Sequence, residues 1–374
     1  VLAELFPFLA ALYFVEAATW VGRGARLWVA GSGRRQRLFE PGLRLGGLTP
    51  FDLECVLPRR PVLLSARGVF VPKADSRRDL GGVRGFDAER WSFLPLESAA
   101  VSDVEGAVVR WGPERFDFES PAAAERFASL WKSLREMAPK GRARKVQAEN
   151  ERRLDRRVAL VAFEAYRRAI RGTRLAGLAL GLSLFGFLPL ALFLPLDLAK
   201  QGGALALALV AILGTFATLV TVASRAARRL RGLGLGVPSG FLPSLFLAIP
   251  AAPLAAVGLS REIFAGLDTL AALSVLAPKE ALERELRRDL HGSCVAASRG
   301  DTEWQEIWNQ RIFGIEKLIA QCGLDRAALE TPPKLEDPAA LAYCPHCETE
   351  FREPVETCEG CEMPTMKVES PAND

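Results

Sequence analysis

Two apolar runs, residues 175–198 and 204–223, are each long enough to cross a bilayer, and almost nothing separates them. Arg167, Arg168, Arg171 and Arg174 stand directly before the first run. Arg225, Arg228, Arg229 and Arg231 stand directly after the second. Asp197, Lys200, Gln201 and the pair Gly202-Gly203 make up the short polar interval. Basic residues stay on the cytoplasmic side of a membrane, so this bracket predicts a transmembrane helix hairpin with a minimal outside loop at 200–203. Inside a bilayer every backbone N–H and C=O needs an internal partner, which leaves helices as the fold for these two runs.

The composition follows from that segregation. Apolar residues make up 49% of the 374-residue chain and mean hydropathy is +0.13, although 25% of residues are charged. Apolar blocks alternate with Arg-rich blocks, as in a membrane protein, and the length allows two or three domains. A net charge of +4 does not point to nucleic acid. The heavy use of Ala, Leu, Arg and Gly suggests a bacterial gene. Residues 5–21 form a further apolar block broken only by Glu16, followed by Arg23, Arg26, Arg34, Arg35 and Arg37. A secretory signal carries its positive charges first, so 1–22 reads as an N-terminal transmembrane helix, with an interfacial helix as the alternative. Glu16 is the single acid within that block, either a functional intramembrane carboxylate or a residue near the interface.

Residues 28–137 are soluble in character. Two short strands around a turn at Arg67-Gly68 are expected within 61–71, and further strands at 91–96, 100–104, 107–111 and 115–118. Glu105-Gly106 and Gly112-Pro113 supply turn chemistry between them. Ser120-Pro121 opens a helix, with Phe127, Leu130, Trp131 and Leu134 on one apolar stripe. Residues 140–174 read as a charged helical linker. Residues 241–278 are apolar but carry Pro243, Pro250, Pro253 and Asp268. They are expected as interfacial or re-entrant helices, a two-pass hairpin being the rival. Residues 279–330 read as cytoplasmic helices. The first ends near 290 with His291-Gly292 as its C-terminal cap, and the second carries Trp304, Ile307, Trp308, Ile312, Ile315 and Ile319 on one face before Gly323. Thr331-Pro332-Pro333 opens a stiff linker that sets the tail apart.

The tail carries the chemistry. Cys344-Pro345-His346-Cys347 is followed, after ten intervening residues, by Cys358-Glu359-Gly360-Cys361. Two C-x-x-C knuckles at this separation can bring four thiolates to the corners of a tetrahedron, the donor set and geometry of structural Zn²⁺. Four sulfur ligands leave no position for a reacting water, so Cys344, Cys347, Cys358 and Cys361 are expected to hold the metal structurally. Rubredoxin-like iron or a redox dithiol pair are the alternatives. A module of this size, about 340–366, cannot fold on its own core, and the metal supplies the difference. His346 lies between two ligands and is expected to be exposed. Cys55, Cys294 and Cys322 are scattered, which is no disulfide framework. No catalytic signature is present in the sequence. His291-Gly292-Ser293-Cys294 is read as a helix end, and Gly232, Gly234 and Gly236 as a flexible connection.

The order of elements over 61–137, strands closed by an amphipathic helix, resembles a pleckstrin-homology-like domain. The whole plan resembles an uncharacterised family of bacterial inner-membrane proteins with an N-terminal helix, a soluble domain, a helix hairpin and a terminal zinc ribbon. The residues that carry this likeness are Tyr343 to Cys347, Glu350-Phe351-Arg352, Cys358 to Cys361, and Leu259-Ser260-Arg261-Glu262 upstream. The resemblance implies an architecture and no activity. Taken together, the expected protein is a non-enzymatic α+β membrane protein of the bacterial inner membrane. It is multi-pass, with its soluble domains and zinc ribbon in the cytoplasm. Its expected role is that of an adaptor binding protein partners at the bilayer face, with a small transporter or channel component as the alternative.

Overall fold

Three short strands are described before residue 62: β1 (Arg26–Ala30), β2 (Arg35–Arg37) and β3 (Glu54–Leu57). Six more follow: β4 (Leu63–Leu64), β5 (Gly68–Pro72), β6 (Trp91–Pro95), β7 (Val101–Glu105), β8 (Val108–Trp111) and β9 (Glu114–Asp117). Helices α1 (Pro121–Glu136), α2 (Pro139–Arg153), α3 (Arg156–Leu182), α4 (Leu188–Phe193) and α5 (Leu198–Gly232) occupy the middle of the chain. Then come α6 (Thr269–Leu276), α7 (Lys279–Ala297), α8 (Thr302–Gln321) and α9 (Arg326–Glu330), and the tail strands β10 (Ala342–Tyr343), β11 (Glu350–Phe351) and β12 (Met366–Lys367). The structure, a computed structural model, describes residues 11, 26–30, 35–37, 54–57, 62–73, 83–97, 101–111, 114–118, 121–193, 198–232, 262–264 and 266–368. The expected N-terminal helix over 1–22 lies outside the described residues but for residue 11, as do the proline-broken stretch 241–261 and Gly234 and Gly236.

The chain forms two units. One comprises Val1–Val29, Arg37–Leu57 and Val161–Ala265; the other comprises Ala30–Gln36, Pro58–Leu160 and Gly266–Asp374. In the second unit β4, β5 and β6 form one antiparallel sheet and β7, β8 and β9 another. The strands expected over 61–118 are present in both. Side chains alternate across a strand, and β5 uses both faces. Val69 and Val71 point into a core with Val109, Phe116, Phe127, Trp131 and Leu134, which seats the stripe of α1 against the sheets. Phe70, on the other face, packs with Trp91, Trp304, Ile307 and Trp308. Its ring centroid lies 5.3 Å from that of Trp304, edge-on. The two tryptophans of α8 are therefore core anchors, 0% and 4% exposed. At Gly68 an added Cβ would sit 2.2 Å from the Leu94 carbonyl oxygen, so the strand crossing requires glycine there. An antiparallel arrangement does not extend to β1 and β3, which pair in parallel with Arg26 opposite Glu54. The intervening residues give the chain length that a parallel return needs.

Residues 266–278 differ from the expected interfacial helix. In α6, Leu270, Ala271, Ala272, Leu273 and Leu276 are buried in the second unit. A short helix that is apolar all round looks like a membrane segment in sequence, yet it is equally what an enclosed core helix must be. Asp268 does not face an interface either. It caps α6 by accepting from the Leu270 N–H at 3.0 Å, and it pairs with Arg311. Helix α7 also runs further than expected. It passes through His291, Gly292, Ser293 and Cys294 to Ala297, because Gly292 is not a cap but a contact. A Cβ there would lie 2.5 Å from the Phe86 ring.

Helix α2 is fixed by Glu149. Its carboxylate accepts two bonds of 2.8 Å from Arg152 and one of 2.7 Å from the Nε of Arg153. Arg152 in turn reaches the Gly266 carbonyl at 3.2 Å, and the Arg153 carbonyl accepts from the Asp268 N–H at 2.9 Å. Burial works against the charged carboxylate, but the bonds and charges of Arg152 and Arg153 outweigh it and bring the pKa from 4.5 down to about 2. Because the folded value lies below the unfolded one, the stabilisation is complete above about pH 4.5 and is lost as pH falls towards 2. Glu149→Gln should cost roughly 3 kcal/mol at neutral pH and progressively less in acid. Urea midpoints at pH 7 and pH 3 check this; an equal cost at both would contradict it.

In the first unit, α3 passes through a π-helical turn, Ser183–Phe187, into α4. Pro189 has no N–H for the carbonyl four residues back, which accounts for the widened turn. This turn and α4 pack against α5. Among the described residues one helix, Lys200–Arg225, is long and apolar enough to cross a membrane. At 26 residues it measures about 39 Å, against roughly 30 Å of bilayer hydrocarbon. Much of its apolar surface is uncovered, with Leu207, Val210 and Leu213 at 73%, 67% and 65% exposed, although Leu219 is buried. Thr215, Thr218 and Thr221 return their hydroxyls to carbonyls of their own helix at 2.8 Å. The loop expected at 200–203 lies within α5; residues 194–197, between α4 and α5, lie outside the described residues.

Candidate metal centre

The tail is a small antiparallel sheet with β10 central, flanked by β11 and β12. β10 delivers Cys344 directly after the buried pair Ala342-Tyr343. The two knuckles that follow are built alike. In the first, the Cys344 N–H donates to the Thr349 carbonyl and its carbonyl accepts from the Glu348 N–H, each at 2.9 Å. In the second, the Cys358 N–H donates to the Met363 carbonyl at 2.9 Å and its carbonyl accepts from the Glu362 N–H at 2.7 Å. The residue after each second cysteine takes the left-handed conformation, Glu348 at φ 63° and Glu362 at φ 58°. A side chain there is strained by about 1–2 kcal/mol, so both turns are held against their intrinsic preference. The sequence carries this as a short C-x-x-C-E repeat. Gly360, within the second knuckle, has room for a Cβ, whose nearest neighbour would be the Cys358 Sγ at 4.0 Å.

The four Sγ atoms lie within 4.8 Å of one another, and those of Cys347 and Cys358 are 3.6 Å apart. A tetrahedron with metal–sulfur bonds of about 2.3 Å has sulfur–sulfur edges of about 3.8 Å, so the cluster has the size of a tetrathiolate shell. Cys344, Cys347, Cys358 and Cys361, the four expected ligands, are the group brought together, and these cysteines could bind a metal ion. All four are free thiols. Cys344 Sγ accepts the backbone N–H groups of His346 and Cys347, the pattern that stabilises a coordinated thiolate. Burial pushes the Cys344 thiol up to about 11. Burial also acts on Cys347, but bonds from the Thr349 hydroxyl and N–H override it and bring that thiol down to about 7. A cation among four such sulfurs would remove the conflict by taking the charge of all of them.

The module is not set apart by its linker. Glu350 accepts the N–H groups of Glu336 and Asp337 at 2.8 and 2.7 Å, and Arg352 pairs with Asp337 at 2.6 Å, folding the proline-led segment onto the ribbon. The ribbon in turn sits on α7. His291 Nε2 donates to the Pro364 carbonyl at 2.9 Å, and Arg284 pairs with Glu348 at 3.3 Å. His346 is half-buried rather than exposed, its ring edge-on to Phe86 with centroids 6.1 Å apart. Burial, then the nearby charges of Arg288 and His291, lower its pKa to about 4, so it docks as a neutral ring. Neither docking histidine was readable as such, because each partner is far away in the sequence. No protein-family model, curated protein or solved structure matches this chain.

Proposed function

We propose that this chain is a membrane-anchored adaptor of the bacterial inner membrane, with a structural Zn²⁺ held by Cys344, Cys347, Cys358 and Cys361. The observation that carries the reading is the four-sulfur shell. A closed tetrathiolate binds metal without leaving a place for substrate, which favours a fixed surface over a reaction centre. The uncovered leucines and valines of α5 support anchoring in a bilayer, with the apolar run before it as the second arm of a hairpin. The two three-stranded sheets closed by α1 support a pleckstrin-homology-like body that offers a surface to protein partners. Arg225 and Arg228 in the last turns of α5, past its apolar stretch, and thiolates that persist in reducing surroundings, favour a cytoplasmic position for both soluble parts. The hydroxyls of α5 are engaged within their own helix, which weighs against the hairpin lining a polar transport path. Affinity capture from native membranes tests the role. A defined protein partner should be recovered with the wild-type chain and lost with Cys358→Ser. Recovery of only what an unrelated membrane protein recovers would contradict the proposal. A reporter fused after Asp374 that reads periplasmic would overturn the placement.

A further inference from the structure

The ribbon grips α7 through both of its knuckles. Arg284, Arg288 and His291 fall at i, i+4 and i+7, one face of the helix. Glu348, directly after the first knuckle, pairs with Arg284, while Pro364, just after the second, accepts from His291. Between these grips the ring of His346 lies against Phe86. Phe86 stands in a 3₁₀ turn, Val83–Phe86, and its ring also meets Trp308 at 5.1 Å and rests on α7 at Gly292, where no Cβ could fit. The backbone of His346 is itself tied to the centre, since its N–H donates to Cys344 Sγ. A continuous chain of contacts thus runs from the thiol cluster through His346 and Phe86 to the tryptophan core.

We propose that metal loading of the four-thiol centre latches the Phe86 segment onto α7 and α8, so that the state of the metal is transmitted into the aromatic core of the second unit. The proposal rests on the metal reading above. The metal joins the two knuckles, and each knuckle supplies one grip. Without it the strained turns at Glu348 and Glu362 relax and the two grips separate, so His346 leaves Phe86 and the face of Trp308 beneath it opens. The ribbon then acts as a metal-dependent clasp on the protein's own core as well as a partner surface.

Hydrogen exchange on the full chain tests this, comparing metal-loaded protein with protein stripped by a chelator under reducing conditions. On stripping, peptides covering 83–90 and 284–294 should exchange about tenfold faster or more, while those of 204–223 stay unchanged. An increase confined to 342–367 would overturn the latch and leave the metal reading standing. A metal-free starting sample, by elemental analysis, would overturn both. His346→Ala keeps all four thiols. It should retain its metal yet accelerate exchange at 83–90, and His346→Phe should restore protection. Unchanged exchange in His346→Ala would overturn the latch.

Discussion

Arg311→Leu is expected to destabilise the protein by about 3–5 kcal/mol, enough to unfold the second unit or bring it close to that point. Arg311 holds two carboxylates from two other elements. Its guanidinium bonds Asp268 at the start of α6 at 2.8 Å and Asp289 in α7 through Nε at 3.0 Å, with a further short bond from Nη2 to Asp289. The Arg311 side chain is 15% exposed, and those of Asp268 and Asp289 are 4% and 20% exposed. Desolvation opposes the charge, but the two carboxylates overcome it and hold the Arg311 pKa above its ordinary value. Removing the cation leaves two negative charges facing each other in a low-dielectric interior, which costs far more than the net worth of the intact cluster. Arg311→Lys should recover only part of the loss, because an ammonium cannot make two forked contacts at once. Urea unfolding followed by tryptophan fluorescence is well placed, since Trp304 and Trp308 lie on the same helix. A midpoint for Arg311→Leu within about 0.5 kcal/mol of wild type would show that the cluster is not an essential tie.

Cys358→Ser is expected to abolish metal binding and melt 342–367. Structural zinc in modules of this kind supplies on the order of 10 kcal/mol, and the ribbon has little else. Its buried apolar side chains amount to a few, Tyr343 and Met363 among them, and its strands are two residues long. The damage should not stop at the linker, because the ribbon bonds α7 through His291 and Arg284. Limited proteolysis checks it: new cleavage should appear within 342–367 at protease levels that leave wild type intact. A variant as resistant as wild type would mean that the ribbon folds without its metal.

What could be read from the sequence was local. Two apolar strands flank the turn at Arg67-Gly68, Phe127, Trp131 and Leu134 recur at helical spacing, and the thiols stand at metal-binding separation. Each of these signals lies within a few residues, or in a spacing that a bound metal would impose. What could not be read depends on partners far along the chain. Asp268 looks like a misfit in an apolar run until Arg311, 43 residues on, is placed beside it. His291-Gly292 has the composition of a helix end, and only the Phe86 ring explains a glycine in mid-helix. His346 reads as a spacer between ligands until the same ring is found against it. The glycine pair at 202–203 drew the expected loop to itself because glycine is a turn signal, yet both glycines lie within α5.

The most direct test of the account is the zinc content of the chain isolated from carbonate-washed membranes, with protein and metal quantified in the same sample. The account predicts that the chain stays with the membranes and carries about one Zn²⁺ each, lost in Cys358→Ser. A chain that washes off, or one that remains but holds no metal after reduction, would contradict it.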